Sequence, residues 1–244
     1  MGIIAFLYGV ISYLVFLASF LYAIGFVGNL IVSKTIDSGQ QGPVMEALLV
    51  DLVLLGLFAA QHSVMARPGF KNRWIKIVPK PVERSTYVLI SSLLLLLLFW
   101  KWQPITGVVW AVENPAGRAA IGTIFWLGWV LVLVSTFMID HFDLFGLRQV
   151  YLRLRGVEYT AVPFVNAALY KFVRHPIMLG FLIAFWAATD MTLGHLLFAA
   201  ATTAYIFIGI FLEERDLAAA LGPDYQQYRR EVPMILPLPG RKSK

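Results

Sequence analysis

Cysteine is absent from the 244-residue chain. Its absence excludes a disulfide framework, a thiolate nucleophile and any metal or cluster held by cysteine sulfur. Charge is also scarce: Asp, Glu, Lys and Arg make up 14% of the residues, against roughly 25% in an ordinary soluble domain. So few charged residues cannot cover the surface of a water-soluble core, which excludes an ordinary soluble fold.

Apolar residues dominate what is present. They form 59% of the chain, and the mean hydropathy is +0.73. The bilayer must therefore be the solvent for much of this surface. The length allows one domain, residues 1–244, with several membrane spans and small polar additions.

Long apolar stretches predict the spans, since a helix needs about 20 residues to cross a hydrocarbon core of ~30 Å. The stretches cover residues 4–32, 44–65, 85–102, 119–139, 176–189 and 195–212. The fifth is short, so it either tilts or forms a shallow hairpin with the sixth. The first is too long for a signal peptide and has no basic segment before it, so we interpret it as a retained helix. We predict an all-α, polytopic transmembrane helical bundle of five to six membrane helices with a cofactor pocket at its cytoplasmic face.

Basic residues predict the orientation. Of the 20 Lys and Arg residues, 17 lie in the segments 67–84, 148–174 and 215–244, and three lie in the opposite loops. Basic loops face the cytoplasm, so we expect both termini there. The net charge of +6 then reflects loops that face an anionic leaflet, and no basic platform for nucleic acid is apparent. We expect the interfacial region 140–175, which is rich in aromatic residues, to fold against the membrane surface, partly as amphipathic helix. The segment 213–244 should be cytoplasmic.

Three polar motifs follow the fourth span. Arg174 and His175 come directly before the fifth stretch and Pro176 begins it, where the free N–H groups of a helix start favour an anion such as a carboxylate. The alternative is an interfacial anchor. Glu213 and Glu214 follow the sixth stretch, where carboxylates oppose the helix dipole and therefore indicate a partner: Arg174, a ligand ammonium or ribose hydroxyls. The alternative is a surface ion-pair network.

The third motif is a pair of tyrosines. Tyr225 and Tyr228 are three residues apart and so share a helix face. Aromatic faces suit an adenine ring or a sulfonium cation. The alternative is that the two rings dock the tail to the membrane.

In this order, the three motifs resemble the C-terminal signature of the isoprenylcysteine carboxyl methyltransferase and phospholipid methyltransferase superfamily. The likeness covers about residues 170–237 and includes Gly180, but Met178 stands where that superfamily often has tyrosine. Further segments resemble the methanethiol S-methyltransferase and NnrU-like membrane proteins. They are residues 61–68, 83–87 and 141–149.

The resemblance implies an enzyme of the bacterial inner membrane that uses S-adenosyl-L-methionine to methylate a small thiol, methanethiol, to dimethyl sulfide. It implies a donor site formed by Arg174, His175, Pro176, Gly180, Glu213, Glu214, Tyr225 and Tyr228. His141 is our candidate for the base that removes the thiol proton, oriented by Asp143, and Arg148 or Arg84 would stabilise the thiolate. His62 completes the catalytic candidates, and the thiol would reach the site from the bilayer.

The predicted topology places these residues in one layer at the cytoplasmic face. Ionisable groups at membrane depth are costly without a role. We expect no metal, because His62, His141 and His175 lack the close helical spacing of metal ligands. Other acceptors stay open on the same fold, namely a lipid amine or a prenyl-cysteine carboxylate. A nicotinamide-dependent reductase and a non-catalytic NnrU-like membrane protein are further alternatives.

Overall fold

The computed structural model describes residues 2–236. The long helices are α1 (Gly2–Val27), α2 (Val44–Ala66), α4 (Lys80–Lys101), α5 (Pro115–Ile139) and α9 (Leu193–Leu221). The shorter helices are α3 (Pro68–Trp74), α6 (His141–Leu144), α7 (Leu147–Leu154), α8 (Pro176–Trp186) and α10 (Pro223–Glu231). Two short strands, β1 (Val108–Ala111) and β2 (Asp190–Thr192), pair as a two-stranded sheet. Within these residues the five long helices are apolar enough to cross a membrane, which confirms the all-α membrane bundle.

Several helix bounds differ from the sequence prediction, and α4, for example, begins at Lys80 rather than near residue 85. α1 ends at Val27 rather than near residue 32, because Asn29 adopts a positive φ of 52° that cannot continue a helix. α9 continues past Leu212 to Leu221, where Gly222 with φ of 62° ends it. Glu213 and Glu214 therefore lie within a helix and not after it.

The end of the predicted cytoplasmic tail lies outside the described residues. It includes Pro237, Arg241, Lys242 and Lys244.

The described chain forms two compact units. The first contains residues 2–109, 140–162 and 192–195, and its central helix is α4, against which α1, α2 and α7 all pack. Gly146, between α6 and α7, has φ of 86° and approaches α4 so closely that a Cβ there would lie 2.7 Å from the Ser85 nitrogen. The Ser85 hydroxyl donates to the Gly146 carbonyl, which fixes the segment 140–154 on α4.

A buried carboxylate joins two helices at the far end of α4. The side chain of Asp51, in α2, is fully buried and accepts a hydrogen bond of 2.9 Å from the backbone nitrogen of Gln103. The Trp102 indole donates to the carbonyl of Ile36 at 3.0 Å. These bonds satisfy backbone groups where α4 ends, so Asp51 has a structural role here.

The second unit contains residues 110–139, 163–191 and 196–236, and α8 is its central helix. α8 packs along α5 and also against Ile206 and Ile210 of α9. Its 11 residues are too few to cross a bilayer as helix. Extended chain continues from Ala187 into β2, and the Val112 nitrogen donates to the Thr189 carbonyl at 2.9 Å. Pairing of this kind supplies the backbone partners that extended chain needs in an apolar solvent.

Candidate functional site

The residues predicted to bind a methyl donor lie in the second unit, at the start of α8 and near the ends of α9 and α10. His175 caps α8 and Pro176 is its first residue, a position where proline costs no hydrogen bond. The backbone nitrogen of Arg174 donates to the Pro233 carbonyl, and that of His175 to the Met234 carbonyl. The segment before α8 is thus tied to the chain that follows α10.

Glu214 is the centre of a buried ionic network. Its Oε1 atom accepts from Arg174 Nε at 2.6 Å and lies 3.1 Å from His175 Nε2, while Oε2 lies 3.1 Å from Arg229 Nε. The side chains of Glu214 and Arg174 are only 5% and 8% exposed. Arg174 Nη1 also donates to the carbonyls of Arg229 and Val232. Both carboxylate oxygens of Glu214 are therefore engaged within the protein.

Glu213 differs from its neighbour. Its side chain is 47% exposed, and its Oε2 atom lies 3.6 Å from His175 Nδ1. Successive residues of a helix point about 100° apart, so one Glu of the pair faces the network and the other faces outward. Glu213 is therefore the more exposed carboxylate of the pair.

The tyrosine pair is buried beneath an aromatic cover. Tyr225 and Tyr228 are 1% and 4% exposed, and the ring of Phe164 lies across both at 5.7 and 5.2 Å between centroids. The Tyr228 hydroxyl donates to the Tyr170 carbonyl at 2.6 Å. Burial raises the pKa of Tyr228 to about 12, so this hydroxyl keeps its proton at neutral pH. Phe164 and Tyr170 were not among the predicted site residues, although the aromatic composition of residues 140–174 was a signal for them.

Gly180 faces a helix in this structure. A Cβ built on it would lie 2.7 Å from the carbonyl oxygen of Gly128 in α5. The close approach of two helices in a membrane uses small residues in this way. A packing role therefore accounts for Gly180, and its contact with a ligand stays a prediction.

A groove of about 740 Å³ borders the ionic network. Its polar lining residues are Arg174, Gln226, Arg229 and Arg230. The rest of the lining is apolar and consists of Phe207, Pro233, Met234, Ile235 and Leu236. Small-molecule sites usually have volumes of roughly 300–1,000 Å³ and mix apolar walls with a few polar groups.

The catalytic candidates lie in the first unit. His141 begins α6 and is 5% exposed, and its Nε2 atom lies 2.9 Å from the hydroxyl of Tyr13 in α1. Burial lowers the pKa of His141 below its ordinary value, and Asp140 opposes this shift. A neutral imidazole at physiological pH can accept a proton, which suits the predicted base.

Asp143 is engaged with other partners. Its Oδ1 accepts from Arg148 Nη1 at 3.0 Å, and its Oδ2 accepts from the Tyr159 hydroxyl at 3.3 Å. Arg148 also donates to the Thr160 carbonyl at 2.8 Å. The observed contacts tie α6 and α7 to the loop that follows them, and the orienting role predicted for Asp143 stays a prediction.

His62 and Arg84 belong to a second polar cluster. The Tyr87 hydroxyl lies 3.0 and 2.9 Å from the two ring nitrogens of His62, which joins α2 to α4. Arg84 donates through Nε to the Leu144 carbonyl at 2.7 Å, and its guanidinium carbon lies 5.0 Å from the centre of the Tyr87 ring. Phe145 stacks on Phe16 at 3.7 Å beside this cluster.

The structure thus brings the donor-binding candidates together within one unit and the catalytic candidates together within the other. That both groups share one layer at the cytoplasmic face stays a prediction. Among residues 2–236, no group of three or more His, Asp or Glu side chains is placed to hold a metal ion.

Comparison of the chain with known proteins identifies its family. A family model described as NnrU protein matches residues 50–214, more than half of the chain. The chain belongs to the NnrU family. The match to the NnrU model includes all the catalytic candidates and the residues from Arg174 to Glu214. The matched range does not include Tyr13, Tyr225 or Tyr228.

Within the NnrU family, curated relatives align over nearly the whole chain. A methanethiol S-methyltransferase of Mycobacterium tuberculosis is 58% identical over 237 residues, which are 97% of this chain and 97% of that protein. One of Crocosphaera subtropica is 53% identical over 97% of this chain and 93% of that protein. A Nurim homolog of Drosophila pseudoobscura pseudoobscura is 30% identical over 78% of this chain and 76% of that protein. No solved structure matches the chain.

Proposed function

We propose that this protein transfers a methyl group from S-adenosylmethionine to the sulfur of methanethiol and releases dimethyl sulfide. The observation that carries the proposal is the 58% identity to a methanethiol S-methyltransferase over 97% of both chains. Five further relatives with the same activity in their names are 51–58% identical over at least 86% of this chain. In this proposal, the two polar clusters would supply groups for donor binding and for activation of the thiol.

The second unit fits the donor in its chemistry. S-adenosylmethionine carries a carboxylate, an ammonium, ribose hydroxyls and an adenine ring, and the ionic network offers groups of both signs beside a partly apolar groove. Glu213, exposed beside His175, would accept from the ammonium or the ribose hydroxyls. Arg174, His175 and Glu214 form the buried frame that holds the ends of α8 and α9 together. Tyr225 and Tyr228 fix α10 against this frame.

The bound donor would supply an electrophilic methyl carbon on a sulfonium sulfur. Transfer is an in-line displacement, so proximity and orientation supply much of the rate. The protein must also deliver the sulfur as a thiolate, since an alkanethiol is mostly protonated at neutral pH. His141 is kept neutral by burial and accepts the thiol proton. The guanidinium group of Arg84 or Arg148 would stabilise the negative sulfur.

A methyl-transfer assay on detergent-purified protein tests this function. Labelled S-adenosylmethionine is incubated in parallel with methanethiol, ethanethiol, a prenyl-cysteine and a phosphatidylethanolamine. We expect volatile labelled product with methanethiol and little transfer to the lipid or the prenyl-cysteine. Transfer to one of those two acceptors instead would overturn the thiol assignment.

The more distant relatives define the other outcome. The Nurim proteins, 28–30% identical to this chain, carry no activity in their names. If no methyl group is transferred to any of the four acceptors, and calorimetry detects no binding of S-adenosylmethionine, the enzyme proposal is contradicted. That result would favour a non-catalytic membrane protein.

A further inference from the structure

Tyr13 and His141 form a pair that joins α1 to α6. The hydroxyl oxygen of Tyr13 lies 2.9 Å from Nε2 of His141, and the two rings meet edge to face with centroids 5.8 Å apart. The residues are 128 positions apart in the chain. A tyrosine hydroxyl within a membrane helix needs a partner, and here the partner is an imidazole.

The two members of the pair differ in accessibility. His141 is 5% exposed, enclosed by the rings of Phe142 and Phe145 at 5.5 and 4.8 Å between centroids. Tyr13 is only partly buried. Leu17, one helical turn further on and on the same side of α1, is 37% exposed. A small molecule dissolved among the acyl chains therefore meets Tyr13 before it can meet His141.

We propose that Tyr13 is the catalytic residue that contacts the thiol and passes its proton to His141. The S–H bond of the thiol breaks as its proton moves to the Tyr13 hydroxyl oxygen. The O–H bond of Tyr13 breaks as that proton moves to Nε2 of His141, where a new N–H bond forms. The sulfur keeps the electron pair as a thiolate, Tyr13 is unchanged, and the imidazole becomes an imidazolium. This inference rests on the proposed function.

The charged groups around the pair are consistent with this direction of transfer. Asp140, directly before α6, favours a positive charge on His141. Asp143 and Arg148 compensate each other at 3.0 Å, and Arg84 of α4 donates to the Leu144 carbonyl. Asp140 would therefore stabilise the imidazolium formed in the step, although Arg148 Nε also lies 3.9 Å from its Oδ2 atom.

Tyr13→Phe tests the inference, with Tyr8→Phe as the matched control. Tyr8 lies in the same helix, and its hydroxyl donates to Thr86 at 3.0 Å, so this variant also loses one bond between helices. Each variant is assayed with ethanethiol and with 2,2,2-trifluoroethanethiol. The fluorinated thiol is similar in size but more acidic, and it needs less help to lose its proton.

We expect Tyr13→Phe to lower kcat/KM for ethanethiol by about 100-fold, the lower limit of general acid–base contributions, and to affect the fluorinated thiol much less. Tyr8→Phe should change neither, and both variants should bind S-adenosylmethionine as wild type does. Because the two residues would act in one step, the double variant Tyr13→Phe/His141→Gln should be no slower than His141→Gln alone.

Two outcomes would overturn the proposed proton transfer from the thiol through Tyr13 to His141. One is wild-type turnover of both thiols by Tyr13→Phe. The other is an equal loss with both thiols, which would indicate a structural role for the hydroxyl. A wild-type protein that methylates no thiol would instead refute the proposed function, so the two failures are distinguishable.

Discussion

Gly128 and Gly180 face each other where α5 and α8 cross. A Cβ on Gly128 would lie 2.8 Å from the Gly180 carbonyl oxygen, and a Cβ on Gly180 would lie 2.7 Å from the Gly128 carbonyl oxygen. The obstructing atoms belong to the backbone and cannot rotate away. The contact between these helices therefore depends on the absence of a side chain at both positions.

Gly180→Ala should separate the two helices. We expect it to lower the free energy of unfolding by about 1–3 kcal/mol, as for other overpacked interiors, and to lower Tm in detergent. Gly122→Ala in α5 is the control, because no atom lies within 4 Å of a Cβ at that position. Equal Tm values for the two variants would contradict the packing role.

The adjacent glutamates should separate stability from donor binding. Glu214→Gln removes the partner of a buried guanidinium, a change that typically costs about 3–5 kcal/mol. Glu213→Gln alters a half-exposed group and should leave stability within about 1 kcal/mol of wild type. We expect only Glu213→Gln to keep wild-type Tm while its affinity for S-adenosylmethionine falls in calorimetry. A Glu213→Gln protein that binds the donor normally would exclude that residue as a ligand.

His141 should make stability depend on pH. Because burial lowers its pKa, the folded protein binds fewer protons than the unfolded chain once the pH falls below the ordinary imidazole value of about 6.5. The free energy of unfolding should therefore decrease as the pH falls from about 6.5 to the lower folded value, with no such change above that window. Tm measured from about pH 7.5 to about pH 5.5 checks this, since His141→Gln should remove part of the decrease. An identical pH dependence in His141→Gln would show that other groups cause it.

The two tyrosines of α10 provide a matched pair. Tyr228→Phe leaves the buried Tyr170 carbonyl without its donor, so we expect a loss of about 1–3 kcal/mol. Tyr225→Phe removes a hydroxyl that bonds to none of residues 2–236, and it should leave Tm nearly unchanged. Tm in detergent compares the two directly. A larger loss for Tyr225→Phe would mean that the Tyr228 bond does not anchor α10.

The long spans could be predicted because apolar length is a local property of the sequence. The contact between Arg174 and Glu214 could also be predicted from the sequence, because the order of the motifs places both residues beside the hairpin of the last two membrane stretches. The different surroundings of Glu213 and Glu214 could not be predicted from the sequence. Which of two adjacent residues turns inward depends on the helices packed around α9, and no local pattern encodes that.

The contact between Tyr13 and His141 could not be predicted from the sequence for a similar reason. Asp143, whose orienting role stays a prediction, lies in α6, which is four residues long, and its carboxylate contacts Arg148. Tyr13 is one of many apolar and aromatic residues in α1, and its rotation toward α6 follows from the packing of α1 on α4 and α7. Such long-range pairing requires the assembled helices.

The shortness of α8 has a consequence for biosynthesis. Eleven apolar residues are too few to be recognised and retained as an independent membrane segment during translation. α8 makes its contacts with α5, synthesised before it, and with α9, synthesised after it. We therefore expect α8 to be held stably in the membrane only once α9 is also present to pack against it.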